Sequence, residues 1–237
     1  MVEIICGEVL EGKILATGFL GLGHVGFLSI DHVIKFLNAR KVGFIDTLHV
    51  PPFINVKGDR FTTPYEIYAH DRVILIRFES IPSGRAGSSL MRGLVQWAKK
   101  GKAERMILIG GLNVSFRAKD EETMVRYLCN TTWKEKYDII RPVVQDGVQV
   151  VGPLALLLNY GEIYRLPMLA LLAYADPGRV DPRAAANAAK ALGELLNIKI
   201  GIEDLVDKAE YIEREMERRA AEVYKETDLY GDASMYA

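Results

Sequence analysis

The chain has 237 residues, with 49% hydrophobic and 26% charged positions, which suits one large globular domain or two small ones. Its 30 basic and 31 acidic residues give a formal net charge of -1, which leaves no electrostatic footprint for nucleic acid or an anionic membrane. Cys6 and Cys129 are too far apart for a CxxC pair, the N-terminus lacks the basic start and apolar run of a signal peptide, and the longest apolar stretches, 152–158 and 168–175, are too short to span a bilayer, so a cytoplasmic protein without a disulfide framework is expected.

Apolar runs and helical patterns alternate along the chain, as in an α/β layered fold. Residues 13–17 read as a buried strand, followed by a glycine loop from Gly18 to Gly26 and a helix to about Asn38. Val42 to Leu48 is the next strand. A β region covers 50–78, with Pro51-Pro52, a turn at Lys57-Gly58-Asp59, and the β-branched run Val73 to Phe78 as a central strand. Gly84 to Lys100 has helical spacing, with Leu90, Leu94, Trp97 and Ala98 on one face. Met106 to Ile109 is a buried strand ending at Gly110-Gly111, and Met124 to Asn130 adds another.

Pro153 opens a helix where its missing N–H costs nothing. Met168 to Tyr174 is the last core strand, and Asp181-Pro182 supplies the cap and first turn of a helix through Leu196. Composition changes near Gly201, which divides the chain into a core domain over 1–201, a charged amphipathic helix over 202–226 and a tail over 227–237. Leu205, Ala209, Ile212, Met216, Ala220 and Val223 share one stripe of that helix, suited to packing on the domain or on another subunit. The tail contains Gly231 and small or acidic residues and is expected to be mobile. Its eleven residues reach at most ~35 Å when extended.

The most tempting motif is Gly21-Leu22-Gly23-His24-Val25-Gly26. It follows a strand, opens a helix, and precedes Asp46 at the end of the next strand by 20 residues, as a dinucleotide fingerprint does. An NAD(P)-dependent oxidoreductase is therefore the alternative reading. The competing view is that glycines at a strand-to-helix turn serve positive φ angles and close packing. Gly7 to Lys13 has phosphate-loop spacing, but Ile14 replaces the magnesium-binding hydroxyl, Glu8 and Glu11 repel phosphate, and a strand follows where a helix is needed. His24, His32, His49 and His70 lack metal-ligand spacing. His24 lies in the glycine loop with Asp31 nearby in sequence. Asn113 and Asn130 begin glycosylation sequons, which mean little in a cytoplasmic chain. There is no GxSxG elbow, and no catalytic residue, metal or cofactor is expected.

The last three residues are Met235-Tyr236-Ala237. An apolar side chain, a tyrosine ring and a terminal carboxylate make a compact docking plug.

Taken together, Gly18-Phe19-Leu20-Gly21-Leu22-Gly23-His24-Val25-Gly26, Pro51-Pro52, Gly58, Pro64 with Tyr68, Ile109-Gly110-Gly111, Asp181-Pro182 and Leu196-Asn197-Ile198 resemble the archaeal proteasome-assembly-chaperone family in order and spacing. The resemblance covers most of residues 13 to 226, and 112–150 carry few family-like anchors. It implies a three-layer α/β/α domain around a mixed central sheet, similar to phosphorylase/hydrolase-like folds, in which Gly18, Gly21, Gly23 and Gly26 are architectural. That fold likeness alone suggests a hydrolase or phosphorylase, for which the residues offer no nucleophile–base pair. The resemblance further implies homo-oligomers, in some cases with a related chaperone subunit, acting on the proteasome core particle. Met235, Tyr236 and Ala237 match the family's hydrophobic–Tyr–any (HbYX) ending, which enters pockets between α-ring subunits where a lysine meets the carboxylate.

Overall fold

In the computed structural model, which describes residues 2–80 and 84–215, the elements run β1 (Val2–Cys6), β2 (Ile14–Gly18), α1 (Val25–Phe36), β3 (Arg40–Thr47), β4 (Asn55–Lys57), β5 (Arg60–Thr62), β6 (Tyr65–His70), β7 (Val73–Phe78), α2 (Gly84–Lys100), β8 (Arg105–Asn113), β9 (Val125–Cys129), α3 (Thr131–Lys134), α4 (Gly152–Tyr164), β10 (Met168–Ala175) and α5 (Pro182–Leu196). Residues 203–215 are again helical. Eight strands form one sheet in the order β1-β3-β6-β7-β2-β8-β10-β9, and β4 with β5 makes a separate hairpin. β7, β2, β8 and β10 are mutually parallel, with Ile14 opposite both Val73 and Arg105 and Met168 opposite Met106. β6, β3 and β1 continue antiparallel on one side, and β9 closes the other.

The parallel strands are buried on both faces, which is why β10 reads as an unbroken apolar run and β7 as one broken only by Arg77. One face packs on α2 and α4 through Leu15, Ile74, Ile76, Leu108 and Leu172. The opposite face packs on α1 and α5 through Ala16, Leu75, Ile107, Ile109 and Leu171. The expected three-layer α/β/α domain around a mixed sheet is therefore what forms. The alanines of α5 let it lie close to the sheet, since Ala185, Ala188 and Ala189 are all fully buried. Its start is capped as the sequence predicts: the Asp181 carboxylate accepts the Ala184 N–H at 3.0 Å, and Pro182 fills the first turn.

Two readings need correction. β8 does not stop at Gly110-Gly111 but continues to Asn113, because β10 pairs with it along that whole length. β1 was not anticipated at all. Its five residues alternate half-buried and exposed, a signal too short to separate from a loop.

After α5 the chain turns at Asn197, in the left-handed region at φ 56°, and passes the end of α1, where His32 Nε2 lies 2.6 Å from the Gly201 carbonyl. Helix 203–215 then runs back along α5, burying Leu205 and Ala209 of the predicted stripe, Leu205 within the cluster that joins α1 and α5. It reaches the start of α5, where Arg183 Nη2 and Glu213 Oε2 are 2.9 Å apart. The described residues thus end beside the carboxyl ends of the parallel strands. Met216, Ala220 and Val223 of the stripe, and Met235, Tyr236 and Ala237, lie outside the described residues.

Candidate functional site

The glycine loop leaves little room for a ligand between itself and the sheet. A Cβ on Gly18 would sit 2.3 Å from the Gly26 carbonyl oxygen, and one on Gly26 would sit 2.4 Å from that of Ile109. Gly23 has φ +60° and faces the Ala175 and Asp181 side chains. The loop's amides are also engaged: Gly21 and Phe27 donate to the Phe19 carbonyl and His24 donates to that of Gly21. Asp181 N–H in turn donates to the Gly23 carbonyl at 2.9 Å, tying the loop to the turn before α5. Gly21 alone is open.

Asp46, the proposed ribose partner, is not brought to this loop. It lies exposed on β3, and β7 and β6 separate β3 from β2. Three strand spacings are roughly 14 Å, whereas a dinucleotide fold places the corresponding strands side by side. His24 is exposed with φ 53°, and its ring has no hydrogen-bond partner among the described residues. Asp31 faces elsewhere, toward Arg77 and Lys35.

Arg77 is the centre of a buried ionic cluster that the sequence reading passed over. Its Nη1 is 3.3 Å from Glu66 Oε2, its Nη2 binds Glu79, and Phe27 of α1 lies over the guanidinium at 5.6 Å. Nε is 3.1 Å from Asp31 Oδ1 but off the hydrogen-bond direction. Burial acts to raise the Glu66 carboxyl, yet hydrogen bonds from Tyr68, Thr63 N–H and Lys41 outweigh it and hold the group below its usual range. Burial and the adjacent Glu66 push the Tyr68 phenol well above its ordinary value. Glu79 also accepts from Thr62 Oγ1 at 3.2 Å and from Asn55, so the cluster anchors the β4–β5 hairpin. The available signal was an arginine inside an otherwise apolar strand, where a charge is tolerated only when paired.

The hairpin and its approach present an apolar surface. Leu48 is 82% exposed, Val56 74% and Phe61 56%, with Ile54 and Phe53 beside them in sequence.

A second opening lies between the carboxyl ends of β2 and β8. β2 leads through α1 on one face toward β3, while β8 leads through α4 on the other face toward β10, so the strand order diverges here. Such switch points are where open α/β sheets hold ligands. The cavity has a volume of about 310 Å³ and is lined by Phe19, Leu22, Leu112, Leu154 and Leu172, with Phe116 and Val151 at its rim. Its polar side chains are Asn113 and Gln149. The Asn113 side-chain oxygen Oδ1 caps the following turn by accepting from Ser115 N–H. Asn130, the other sequon residue, is an interior strut whose side chain binds Trp133 N–H, Met168 N–H and the Leu166 carbonyl.

No helix of the described residues is long and apolar enough to cross a membrane, and no group of three or more metal-ligating side chains is present among them. Cys6 and Cys129 are both free.

A parallel core with an antiparallel wing and an apolar switch-point opening defines the class: a three-layer α/β/α domain. Residues 15–220 match the PAC2 family model, and the chain belongs to that family. The chain is 26% identical to an uncharacterised protein of Methanocaldococcus jannaschii, over 92% of this chain and 89% of that one. Its fold is similar to that of Pyrococcus furiosus PbaA, described as an archaeal homologue of proteasome-assembly chaperone. The TM-score is 0.79 at 22% identity, covering 100% of this chain and 99% of that one. It is also similar to Pyrococcus furiosus PbaB, described as an archaeal proteasome activator, with TM-score 0.73 at 20% identity over 92% and 98% of the two chains. The family resemblance read from the glycine loop and its spacing is thus borne out in family and in fold.

Proposed function

We propose that this protein is a non-enzymatic, cytoplasmic proteasome-assembly chaperone or adaptor that docks Met235, Tyr236 and Ala237 into α-ring pockets of the proteasome core particle. The observation that carries the reading is its family membership together with a fold shared with PbaA over the full chain. The closed packing of the glycine loop supports an architectural rather than a cofactor-binding role for Gly18, Gly23 and Gly26. In this reading Tyr236 is the anchor, Met235 the adaptable apolar contact and the Ala237 carboxylate the ionic one.

A three-residue plug buries little surface and binds weakly alone. A homo-oligomer presenting several tails to a ring of pockets gains through effective concentration, by ~10²–10⁴. The exposed apolar residues Leu48, Val56 and Phe61 support a contact surface for a second copy or a related chaperone subunit.

The test is binding to an archaeal core particle by the full chain and by a chain lacking residues 235–237. Loss of at least tenfold in affinity on truncation is expected. Undiminished binding by the truncated chain overturns the tail as the docking element.

A further inference from the structure

We propose that the switch-point cavity is a small-molecule site that takes a compact, uncharged aromatic ligand bearing one hydrogen-bond acceptor, a carbonyl or hydroxyl oxygen, at its outer end. This site stands apart from the tail-docking reading above and uses none of its residues.

The lining decides the chemistry. Phe19, Ile109, Leu112, Leu154 and Leu172 form the walls, and each is almost wholly buried, so the space lies within the layered core rather than across its surface. None of the lining side chains is charged. A carboxylate or ammonium held there would be an unpaired charge taken out of water, a penalty larger than the start of α4 at Gly152 returns to an anion. The two polar side chains, half-buried Asn113 and exposed Gln149, mark the outer end. Asn113 Oδ1 accepts from Ser115 N–H, while its Nδ2 and the Gln149 amide make no hydrogen bond among the described residues. They are donors available to a neutral oxygen.

Size sets the second limit. An apolar cavity of about 150 Å³ accommodates one benzene ring. At about 310 Å³ this one has room for a substituted ring or a fused pair, at the lower end of small-molecule pockets.

The walls are also fixed before a ligand arrives, which lowers the ordering cost of binding. Gln145 Nε2 donates to the Phe116 carbonyl and to the Tyr174 hydroxyl, both at 2.9 Å, and Arg126 Nε donates to the same hydroxyl at 2.6 Å. The rim residue Phe116 is thereby tied to the segment that leads into 148–152 and to the end of β10. On the other side, Leu22 is held by its neighbour Gly23, whose carbonyl accepts the Asp181 N–H. A ligand here would touch Ile109, which packs with the α1 and α5 layer, and Leu154 and Leu172, which pack with the α2 and α4 layer.

Acetophenone and benzoate, close in shape and different in charge, are the probes for calorimetric titration of the full chain. Acetophenone should bind with a Kd of about 0.1–1 mM, the strength that roughly nine non-hydrogen atoms supply. Benzoate should bind at least about tenfold more weakly. No acetophenone binding up to ~10 mM overturns the site, and benzoate binding as tightly as acetophenone overturns the uncharged assignment. Saturating acetophenone should slow hydrogen exchange at 109–116 and 148–156 by about two- to tenfold and leave β3 and β6 unchanged. Slowing confined to other segments overturns the placement. Gly21→Leu blocks the mouth: Gly21 lines the cavity at φ -95°, which any residue adopts, and nothing lies within 4 Å of its Cβ. The folded variant should bind acetophenone at least about tenfold more weakly, and undiminished binding by it overturns the proposal.

Discussion

The glycine loop and the Arg77 cluster fasten the same helix, α1, to the sheet by opposite means. On the side of β8 the fastening is steric: Gly18 and Gly26 bring backbone against backbone at distances no side chain permits. On the side of β6 and β7 it is ionic: Asp31 of α1 approaches Arg77, which Glu66 and Glu79 also hold, under the Phe27 ring. A steric fastening is indifferent to pH and fails when an atom is added. An ionic one tolerates shape changes poorly in a different sense, because removing one charge strands the others. The contrast explains why the motif that looks most like a ligand site is filled with protein, while the opening next to it is apolar and bears no fingerprint.

The largest effect expected of breaking either fastening is at Arg77. Arg77→Met leaves Glu66 and Glu79 without their central cation, and loss of about 3–5 kcal/mol is expected in denaturant unfolding at neutral pH. A loss below ~1 kcal/mol would mean that the cluster is solvated and does not fasten α1. Next comes Gly26→Ala, whose added methyl meets the Ile109 carbonyl and Phe19 N–H, neither able to move freely. A cost of about 3 kcal/mol is expected. Gly21→Ala is its control, since nothing lies within 4 Å of that Cβ, and a change within ~0.5 kcal/mol in the same measurement separates packing from fingerprint.

The smallest effect separates the two fastenings by pH. Glu66 is held below its ordinary range, so its contribution is fully present above the unfolded value near ~4.3 and is lost as pH falls through the folded value. The penalty of Arg77→Met should therefore shrink in acid, while that of Gly26→Ala stays constant. Parallel pH profiles for the two variants would refute the distinction.

Much of the fold was legible because its core strands are buried on both faces and so carry continuous apolar runs. Val73 to Phe78 and Met168 to Tyr174 needed no alternation to be recognised. Asp181-Pro182 and Pro153 marked helix starts by local stereochemistry alone. β1 was missed because five alternating residues at an edge carry little signal, and β8 was cut short because glycines inside a strand resemble a turn until β10 pairs with them. The cavity was not legible, and of the ionic cluster only Arg77, a charge within an apolar strand, left a signal. Each joins residues distant in sequence, such as Leu22 with Leu154 and Asp31 with Arg77.

The sequence by itself determined the layered α/β class, the family and the helix caps, since these follow from periodicity, turn chemistry and the order of short motifs. Tertiary structure decided what the glycines are for. The pattern Gly21, Gly23, Gly26 with Asp46 is identical in sequence whether it cradles a ligand or packs a helix. Only strand order, which puts β6 and β7 between Asp46 and the loop, and the carbonyl of Ile109 against Gly26, distinguish the two.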